Sequence, residues 1–374
     1  MPPRLHITSD DTEFDSHILH SLRAEGFSIS YLPCTQDRKA YRNALRHLGD
    51  DLELGEKYAI LAYGDAAAEC LDFYVKPQPG CVALIAYYPT TIPSPKTKFP
   101  PHLEILCHLA ASQSFAPAFP SYVYQGVSPG FAETDIDEHD AIAASLAWTR
   151  TLGTLRKAFK VDDENLEQIW ESHQASRFIA KDAAATMRGM TSADLEKPYV
   201  NHVPTMTGGF GQKDLFIFYR DYFISQSPPS TRMKLLSRTI GVDRVVDEVV
   251  ISFKHDRRVD WMLPDVPATG KQVSVAMVSV VCIRGGLLCS EHVYWDQASV
   301  LVQVGLLDPR LVPDNMRKQG LKQLPVVGVE GARKVLDVES RESNELISSW
   351  RDRPTGDPGV KKMPARPKEA VNGQ

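Results

Sequence analysis

The last long apolar run of the chain ends in polar side chains whose types suit acid/base chemistry. In a strand, Glu291 and Trp295 would share one face. His292, Tyr294 and Asp296 would share the other face, and only one set can line a cavity unless a bulge intervenes. A carboxylate buried in an apolar cavity has a raised pKa, which suits proton transfer near neutral pH. Asp296 also immediately precedes a predicted helix, where Asp is a favoured N-cap, so both interpretations stay open.

Further candidate residues occur earlier in the same half of the chain. A neutral His202 could act as a base or hydrogen-bond a substrate carbonyl, and it could equally anchor its loop. Asp260 lies beside Trp261, which makes it a better pocket candidate than the charged residues just before it. With His255 and His292 these residues show no His-x-His or His-x-x-x-His spacing, so no metal is predicted. No glycine-rich loop follows a strand, and no cofactor is predicted.

The first half contains the strand, turn and helix pattern of a nucleophile elbow. A short apolar strand over 58–61 runs into Ala-Tyr-Gly-Asp-Ala-Ala and then into a helical pattern. The elbow motif places its nucleophile between small residues on this sharp turn. The nucleophile position here is Gly64, which has no side chain, and Asp65 is more typical of a first helical turn. The pattern therefore predicts the geometry of an elbow without its chemistry.

The elements that must position these residues change in character near residue 160. Before it, short apolar strands alternate with helices, which indicates an α/β layer with a parallel sheet. After it, helical segments give way to long strands over 242–254, 272–283 and 287–295, the last two joined by an Arg-Gly-Gly turn. Helices followed by a long antiparallel meander predict an α+β second part.

These patterns predict three regions. An α/β domain would span 1–160 and an α+β domain 161–345. The remaining residues, 346–374, are predicted to form a disordered tail, since the last stretch is rich in Pro, Gly, Lys and Arg and has few aromatics.

Composition and charge narrow the functional classes. Of 374 residues, 43% are apolar and 24% are charged, and a net charge of -5 gives no footprint for nucleic acid. No run of about eighteen apolar residues exists to span a membrane, and the N-terminus has no apolar signal core. We therefore expect a cytoplasmic protein without nucleic-acid or membrane partners. Its 6 scattered cysteines, which form no C-x-x-C pair, are expected to be buried free thiols.

Residues 25–160 resemble the dienelactone hydrolases. The resemblance is carried by the elbow strand with its small-residue helix, the aromatic pair at 87–88, and the segment from Tyr124 to Phe131. It implies a truncated α/β-hydrolase fold. Three positions depart from the family and remove its triad: Gly64 for the cysteine, Ser128 or Pro129 for the histidine, and the Ser-Gln-Ser of 112–114 for the acid.

Residues 195–307 resemble the SnoaL-like proteins, the polyketide cyclase branch of the nuclear-transport-factor-like fold. The resemblance is carried, in chain order, by Tyr199 to Pro204, Gly208-Gly209, Val245 to Glu248, Glu291 to Gln297, and Val302 to Leu307. It implies a cone in which a curved antiparallel sheet wraps helices around an apolar cavity. It also implies that Asp296 is the general acid/base and that His202 occupies a pocket position.

On that basis we favour the face of Asp296 as the cavity face. The predicted catalytic residues are Asp296, His202 and His292. The predicted substrate contacts are Tyr294, Trp261, Asp260, Trp295 and Tyr199.

The expected function is acid/base chemistry on an apolar carbonyl- or lactone-bearing small molecule, of the cyclase, isomerase or lactone-opening type. One alternative is a non-catalytic ligand-binding or dimerisation scaffold, for which the apolar strand Val273 to Val281 would suit a homodimer interface. The other alternative is a dienelactone-hydrolase-type hydrolase that uses the first half of the chain.

Overall fold

The computed structural model describes residues 2–161, 165–192 and 196–350. Within these ranges, no helix is both long and apolar enough to cross a membrane. Two six-stranded sheets organise the described residues, one in each half of the chain. The predicted tail lies outside the described residues from position 351 onward, and a short 3-10 turn, Ser348–Trp350, ends the described part.

The first sheet is parallel throughout, as the alternation of strands and helices predicts. Its strands are β1 (Arg4–Thr8), β2 (Ser28–Tyr31), β3 (Tyr58–Tyr63), β4 (Cys81–Tyr87), β5 (Glu104–Ala110) and β6 (Ser121–Tyr124). They lie in the order β2-β1-β3-β4-β5-β6, and every neighbouring pair is parallel. Because helices cover both faces, β3 is buried along its whole length and reads as a continuous apolar run. Assignment of this sheet to the α/β-hydrolases stays a prediction.

Four helices accompany the first sheet. They are α1 (Ser16–Ala24), α2 (Arg38–Arg46), α3 (Gly64–Phe73) and α4 (Ala141–Phe159). Three of them begin after an aspartate whose carboxylate accepts backbone N–H groups of the first turn, namely Asp15, Asp37 and Asp140. These caps set where the helices start.

The second sheet is mixed. Its strands are β7 (Tyr199–His202), β8 (Thr207–Phe210), β9 (Arg232–Ile240), β10 (Arg244–Lys254), β11 (Gln272–Arg284) and β12 (Leu287–Trp295). They lie in the order β8-β7-β12-β11-β10-β9. The expectation of a wholly antiparallel sheet is corrected at one pair, because β7 runs parallel to β12. The chain enters β7 from a segment in which Met190 already bridges Leu288 in the parallel direction.

Helices cover one face of this second sheet. They are α5 (Leu166–Phe178), α6 (Ala183–Arg188) and α7 (Gln212–Ile217), which continues into a π-helical turn, Phe218–Ile224. Their side chains, among them Trp170, Tyr219 and Phe223, share one buried core with the inner residues of the strands. Three further helices follow β12: α8 (Gln297–Val304), α9 (Asp314–Lys318) and α10 (Glu330–Leu336).

Strand register brings four inward-facing residues into one row across the sheet. Asp247 on β10 pairs with Ser279 on β11, and Ser279 pairs with Val293 on β12. Val293 in turn pairs with His202 on β7. All four are buried, so the row places three polar side chains on the face that the helices cover.

Buried hydrogen bonds to charged groups join the two halves through α4 and the β11–β12 turn. Asp243 is fully buried, forms an ion pair with Arg244 at 2.7 Å, and accepts a hydrogen bond from Thr149 at 3.0 Å. Glu25, at the end of α1, accepts from the backbone N–H of Gly285 at 3.1 Å. The two halves are thus in direct contact, and the domain limits 1–160 and 161–345 stay predictions. All the cysteines are buried and free of disulfides.

Candidate functional site

A small cavity lies between the helices and the inner face of the second sheet. Its volume is about 40 Å³. That is more than the roughly 10–15 Å³ that one water molecule needs. We call it the inner chamber. Its aromatic wall consists of Trp170, Phe178, Phe223 and Trp261, and its polar lining consists of Gln174, Arg177, His202, Asp247, Ser279 and Glu291.

An ion pair between a helix and a strand forms one side of the inner chamber. Arg177 Nη1 on α5 lies 2.7 Å from Glu291 Oε2 on β12, and each side chain is 3% exposed. Ser279 Oγ donates to Glu291 Oε1 at 3.0 Å. The guanidinium carbon of Arg177 is 4.9 Å from the ring centroid of Trp170, and its Nε is buried without a hydrogen-bond partner in the described part of the chain. Arg177 therefore keeps one donor that Glu291 does not use.

His202 faces the same chamber from β7. Its ring is stacked on Phe223 with centroids 5.9 Å apart, and it lies 5.2 Å from the ring of Trp261. Nδ1 is 3.2 Å from the carbonyl oxygen of Thr207, which can only accept, and 3.2 Å from the Thr207 hydroxyl. That hydroxyl donates its proton to the carbonyl oxygen of Trp261 at 2.8 Å, so the proton between His202 and Thr207 is assigned to Nδ1. Nε2 then carries the free lone pair. Burial lowers the pKa of His202 to about 4, so the imidazole is neutral near pH 7.

The second carboxylate of the chamber is occupied by other side chains. Asp247 accepts from Trp170 Nε1 at 2.7 Å and from Arg238 Nε at 2.7 Å. Arg238 also reaches Glu167 and Glu171 on α5, each at 3.0 Å. This network ties α5 to β9 and β10, which makes Asp247 a residue that positions the chamber wall.

A wider groove adjoins the inner chamber. It has a volume of about 410 Å³ and is open to solvent. We call it the outer groove. It is lined by Glu171, Gln174, Ala175, Phe178, Ile179, Lys181, Ser227, Pro228, Pro229, Thr231, Arg232 and Met233. Gln174, Phe178 and Met233 line both spaces, so the two compartments share a wall.

The structure reverses the predicted faces of β12. Glu291 and Trp295 point into the core, whereas Tyr294 is 43% exposed and His292 is half-buried on the outer face. Asp296 is exposed and caps α8, where its carboxylate accepts from the backbone N–H of Ser299 at 3.2 Å. The capping interpretation thus describes Asp296, and the set of His292, Tyr294 and Asp296 lies away from the chamber. The physical reason is that Glu291, unlike Asp296, finds a buried cation.

The remaining predicted contacts divide between the chamber and other surroundings. Trp261 lines the chamber, and Trp295 packs edge-on against it with centroids 5.5 Å apart. Tyr199 is 37% exposed and lies beside His292, on the outer face. Asp260 is buried but is held by Arg258 at 3.0 Å outside the chamber. Asp260 lies in a turn beyond β10, which ends at Lys254, so its position beside Trp261 does not bring it to the chamber.

Sequence reasoning missed Arg177, Asp247 and Ser279. For Arg177 a signal exists. The buried face of α5 carries Leu166, Trp170, His173 and Arg177, which recur at helical spacing. A histidine and an arginine on an otherwise apolar helix face indicate buried polar groups that need partners. The partner, Glu291, lies 114 residues away, and no local pattern connects the two.

The elbow of the first half is present and filled. Gly64 has a φ of +59°, in the left-handed region, and begins α3 directly after β3. Asp10, which follows β1, accepts from the backbone N–H groups of Asp65 and Ala66 at 2.8 and 2.9 Å. A Cβ at position 64 would collide with Asp10 Oδ2. The protein's own carboxylate therefore occupies the space in which a nucleophile would project.

Comparisons with known proteins locate partial structural similarity. The chain matches no protein-family model and no curated protein sequence. TsrD from Streptomyces laurentii is 18% identical, with a TM-score of 0.31, and the match covers 39% of this chain and 99% of that one. A putative SnoaL-like polyketide cyclase from Jannaschia sp. CCS1 is 17% identical, with the same coverage and TM-score. A putative polyketide cyclase from Acidithiobacillus ferrooxidans is 17% identical, covers 37% of this chain and 92% of its own, and has a TM-score of 0.30.

Proposed function

We propose that the protein is a cofactor-independent enzyme that moves a proton on a largely apolar, carbonyl-bearing small molecule. The observation that supports this proposal is the pairing, in one chamber, of a neutral histidine with a buried guanidinium. The histidine offers a lone pair for proton abstraction, and the guanidinium offers positive charge to a developing oxyanion. The reaction would be an isomerisation, a cyclisation or the opening of a lactone.

His202 is the proposed base. Its Nε2 would take a proton from the carbon next to the substrate carbonyl, and the electron pair of that C–H bond would form an enolate. Glu291 opposes the burial effect on the pKa of His202, so it would favour the imidazolium that forms. Return of the proton to a different carbon completes an isomerisation. In a cyclisation, the enolate carbon would attack a second carbonyl, and the alkoxide formed on that oxygen would take the proton back from His202.

Arg177 is the proposed oxyanion partner. A buried charge costs several kcal/mol, so an ion pair kept in an aromatic wall is a candidate functional group. Glu291 fixes the guanidinium through Nη1 at 2.7 Å, and Nε has no hydrogen-bond partner within the described residues, although the Tyr219 side chain lies beside the guanidinium. The surrounding rings exclude water, which strengthens the attraction between Arg177 and a developing negative charge.

Solvent deuterium exchange tests this proposal without knowledge of the natural substrate. The protein is incubated in D2O with a panel of aliphatic ketones and keto esters, and loss of the α-proton signal is followed by NMR. His202→Gln should slow the catalysed exchange by about 10²–10⁴-fold, the usual contribution of a general base. Asp296→Asn is the control, since an exposed asparagine also caps a helix and should leave the rate unchanged. Wild-type exchange in His202→Gln would overturn the assignment.

A ligand-binding scaffold is the second candidate. It is supported by the contacts of Glu291, because Arg177 and Ser279 each donate to one of its two carboxylate oxygens and so occupy both within the protein. In that case ketones would bind and no variant would alter an exchange rate above the buffer background. The outer face of the second sheet, where Val278 is 37% exposed, offers the surface for the homodimer expected under this function.

Hydrolysis by the first half is the weakest candidate, because Asp10 fills the elbow and Gly64 supplies no nucleophile. Labelling of residues 60–70 by a serine- or thiol-reactive probe would support it.

A further inference from the structure

The two compartments differ in size and charge, and together they describe the shape of a ligand. We infer that the ligand is an amphiphile with an uncharged carbonyl tip, an apolar body and an anionic far end. The tip would enter the inner chamber, the body would lie in the outer groove, and the anion would meet Lys181 and Arg232. This inference rests on the proposed function of the inner chamber.

The volumes limit what each compartment can hold. The inner chamber, at about 40 Å³, has room for only a few non-hydrogen atoms. The outer groove, at about 410 Å³, falls in the range of roughly 300–1,000 Å³ typical of small-molecule pockets. A rigid ring system would therefore remain in the groove. A narrow acyl or methyl ketone end fits the chamber.

Apolar side chains form much of the outer groove. Ile179 is 82% exposed and Met233 is 38% exposed, and Phe178, Pro228 and Pro229 complete the apolar lining. A large aliphatic side chain left exposed at a concave site gains stability when a ligand covers it. Met233 has an unbranched, flexible side chain and also lines the inner chamber, so it suits ligands of varied outline.

Charge at the groove favours an anion. Glu171 lies 3.0 Å from Arg238, which it shares with Glu167 and Asp247, so its negative charge offsets only one of the two cations of the groove. Lys181 and Arg232 form no ion pair within the described residues, and Arg232 Nη1 donates only to the carbonyls of Thr231 and Pro229, at 2.9 and 3.4 Å. The carbonyl end of α5 lies nearby and disfavours an anion, so both cations are needed to hold one. A carboxylate or a phosphate monoester provides this chemistry.

Tryptophan fluorescence can measure the binding of an anionic ketone against that of an uncharged ketone, because Trp170 and Trp261 line the inner chamber. The probes are 2-decanone, 9-oxodecanoate, 9-oxodecyl phosphate and decanoate. We expect an oxo-anion to bind about tenfold more tightly than 2-decanone at low salt, as two favourable exposed ion pairs together allow, and we expect salt to reduce that gain. Decanoate should bind more weakly than 9-oxodecanoate because it lacks the tip. The stronger of the two oxo-anions identifies the head group.

Two variants connect the preference to the groove. The double variant Lys181→Gln, Arg232→Gln should lose the preference for anions and keep its affinity for 2-decanone. Lys213→Gln, an exposed cation outside both compartments, should behave as the wild type. Equal binding of 2-decanone and both oxo-anions, or an equal loss in Lys213→Gln, would overturn the inference. A preference for anions without deuterium exchange would support this ligand class and contradict the proposed proton transfer. Deuterium exchange without a preference for anions would support the proton transfer and contradict this ligand class.

Discussion

Arg177 and Glu291 lie 114 residues apart and meet at 2.7 Å, with each side chain only 3% exposed. One belongs to the helical layer and the other to the last strand of the sheet. The pair therefore fastens α5 across the inner chamber to the buried face of β12, which Glu291 shares with Val293 and Trp295.

Removal of one charge of this pair should strongly destabilise the fold. Glu291→Gln leaves the Arg177 charge buried without its counter-ion, for which we expect a loss of about 3–5 kcal/mol in the free energy of unfolding. The measurement is urea unfolding followed by fluorescence. Asp221→Asn is the matched control, because its pair with Arg220 is exposed and should contribute little to stability. Similar losses in the two variants would contradict a buried ionic role for Glu291.

Stability should fall as the solution is acidified from about pH 6.5 toward pH 4. Burial lowers the pKa of His202 to about 4 in the folded state, while an unfolded histidine titrates near about 6.5. Between these values the unfolded chain binds the extra proton, so the stabilisation is present above pH 6.5 and is lost as pH falls. His202→Gln should make this part of the stability–pH curve less steep, and the buried His108 and His173, whose pKa values burial also lowers, should account for the slope that remains. His292→Gln, on the outer face, provides the comparison, and an unchanged slope in His202→Gln would refute the prediction.

Asp243→Asn should uncouple the two halves of the chain. The carboxylate is fully buried between Arg244 and Arg284, at 2.7 and 3.2 Å. An amide cannot balance both cations, and these same two arginines donate to Ser145 on α4 at 3.1 and 2.9 Å. Their displacement would therefore loosen the contact with the first half, and we expect one cooperative unfolding transition to separate into two. Calorimetry with circular dichroism detects the separation. Asp308→Asn, whose partner Arg310 is exposed, should keep the wild-type profile.

Gly64→Ser should not create a hydrolase. A side chain at a φ of +59° is strained by about 1–2 kcal/mol, and its Cβ would also collide with Asp10. Gly55→Ser is the control for backbone strain alone, because Gly55 also has a positive φ, +88°, but has open space around it. The difference between the two variants therefore reports the collision with Asp10. We expect a larger fall in melting temperature for Gly64→Ser than for Gly55→Ser. Esterase activity or fluorophosphonate labelling at position 64 would contradict the occupied elbow.

The first sheet was predictable because its signals are local. The strand predicted over 58–61 corresponds to β3, and the helical pattern predicted after the elbow corresponds to α3, Gly64–Phe73. Buried parallel strands read as apolar runs, and the aspartate caps mark the helix starts.

The inner chamber was only partly predictable because its residues come from distant segments. His202 and Trp261 were identified, but alternation along β12 offers two faces that each contain a carboxylate and an aromatic ring. The choice between them depends on Arg177, which sits on a different element. Asp296 is placed by its hydrogen bond to the first turn of α8, and the alternation of residues along β12 cannot show whether a residue at the strand end caps a helix or faces a cavity.

The contact between Glu25 and Gly285 has a mechanical consequence. Gly285 is the turn from which β12 departs, and Glu291 lies six residues further on, about 20 Å along an extended strand. The first half therefore fixes the start of β12, and the same strand carries Glu291, the counter-ion of Arg177, further along. A ligand or modification that tilts α1 would displace the Glu291 carboxylate relative to Arg177, although it makes no contact with the inner chamber.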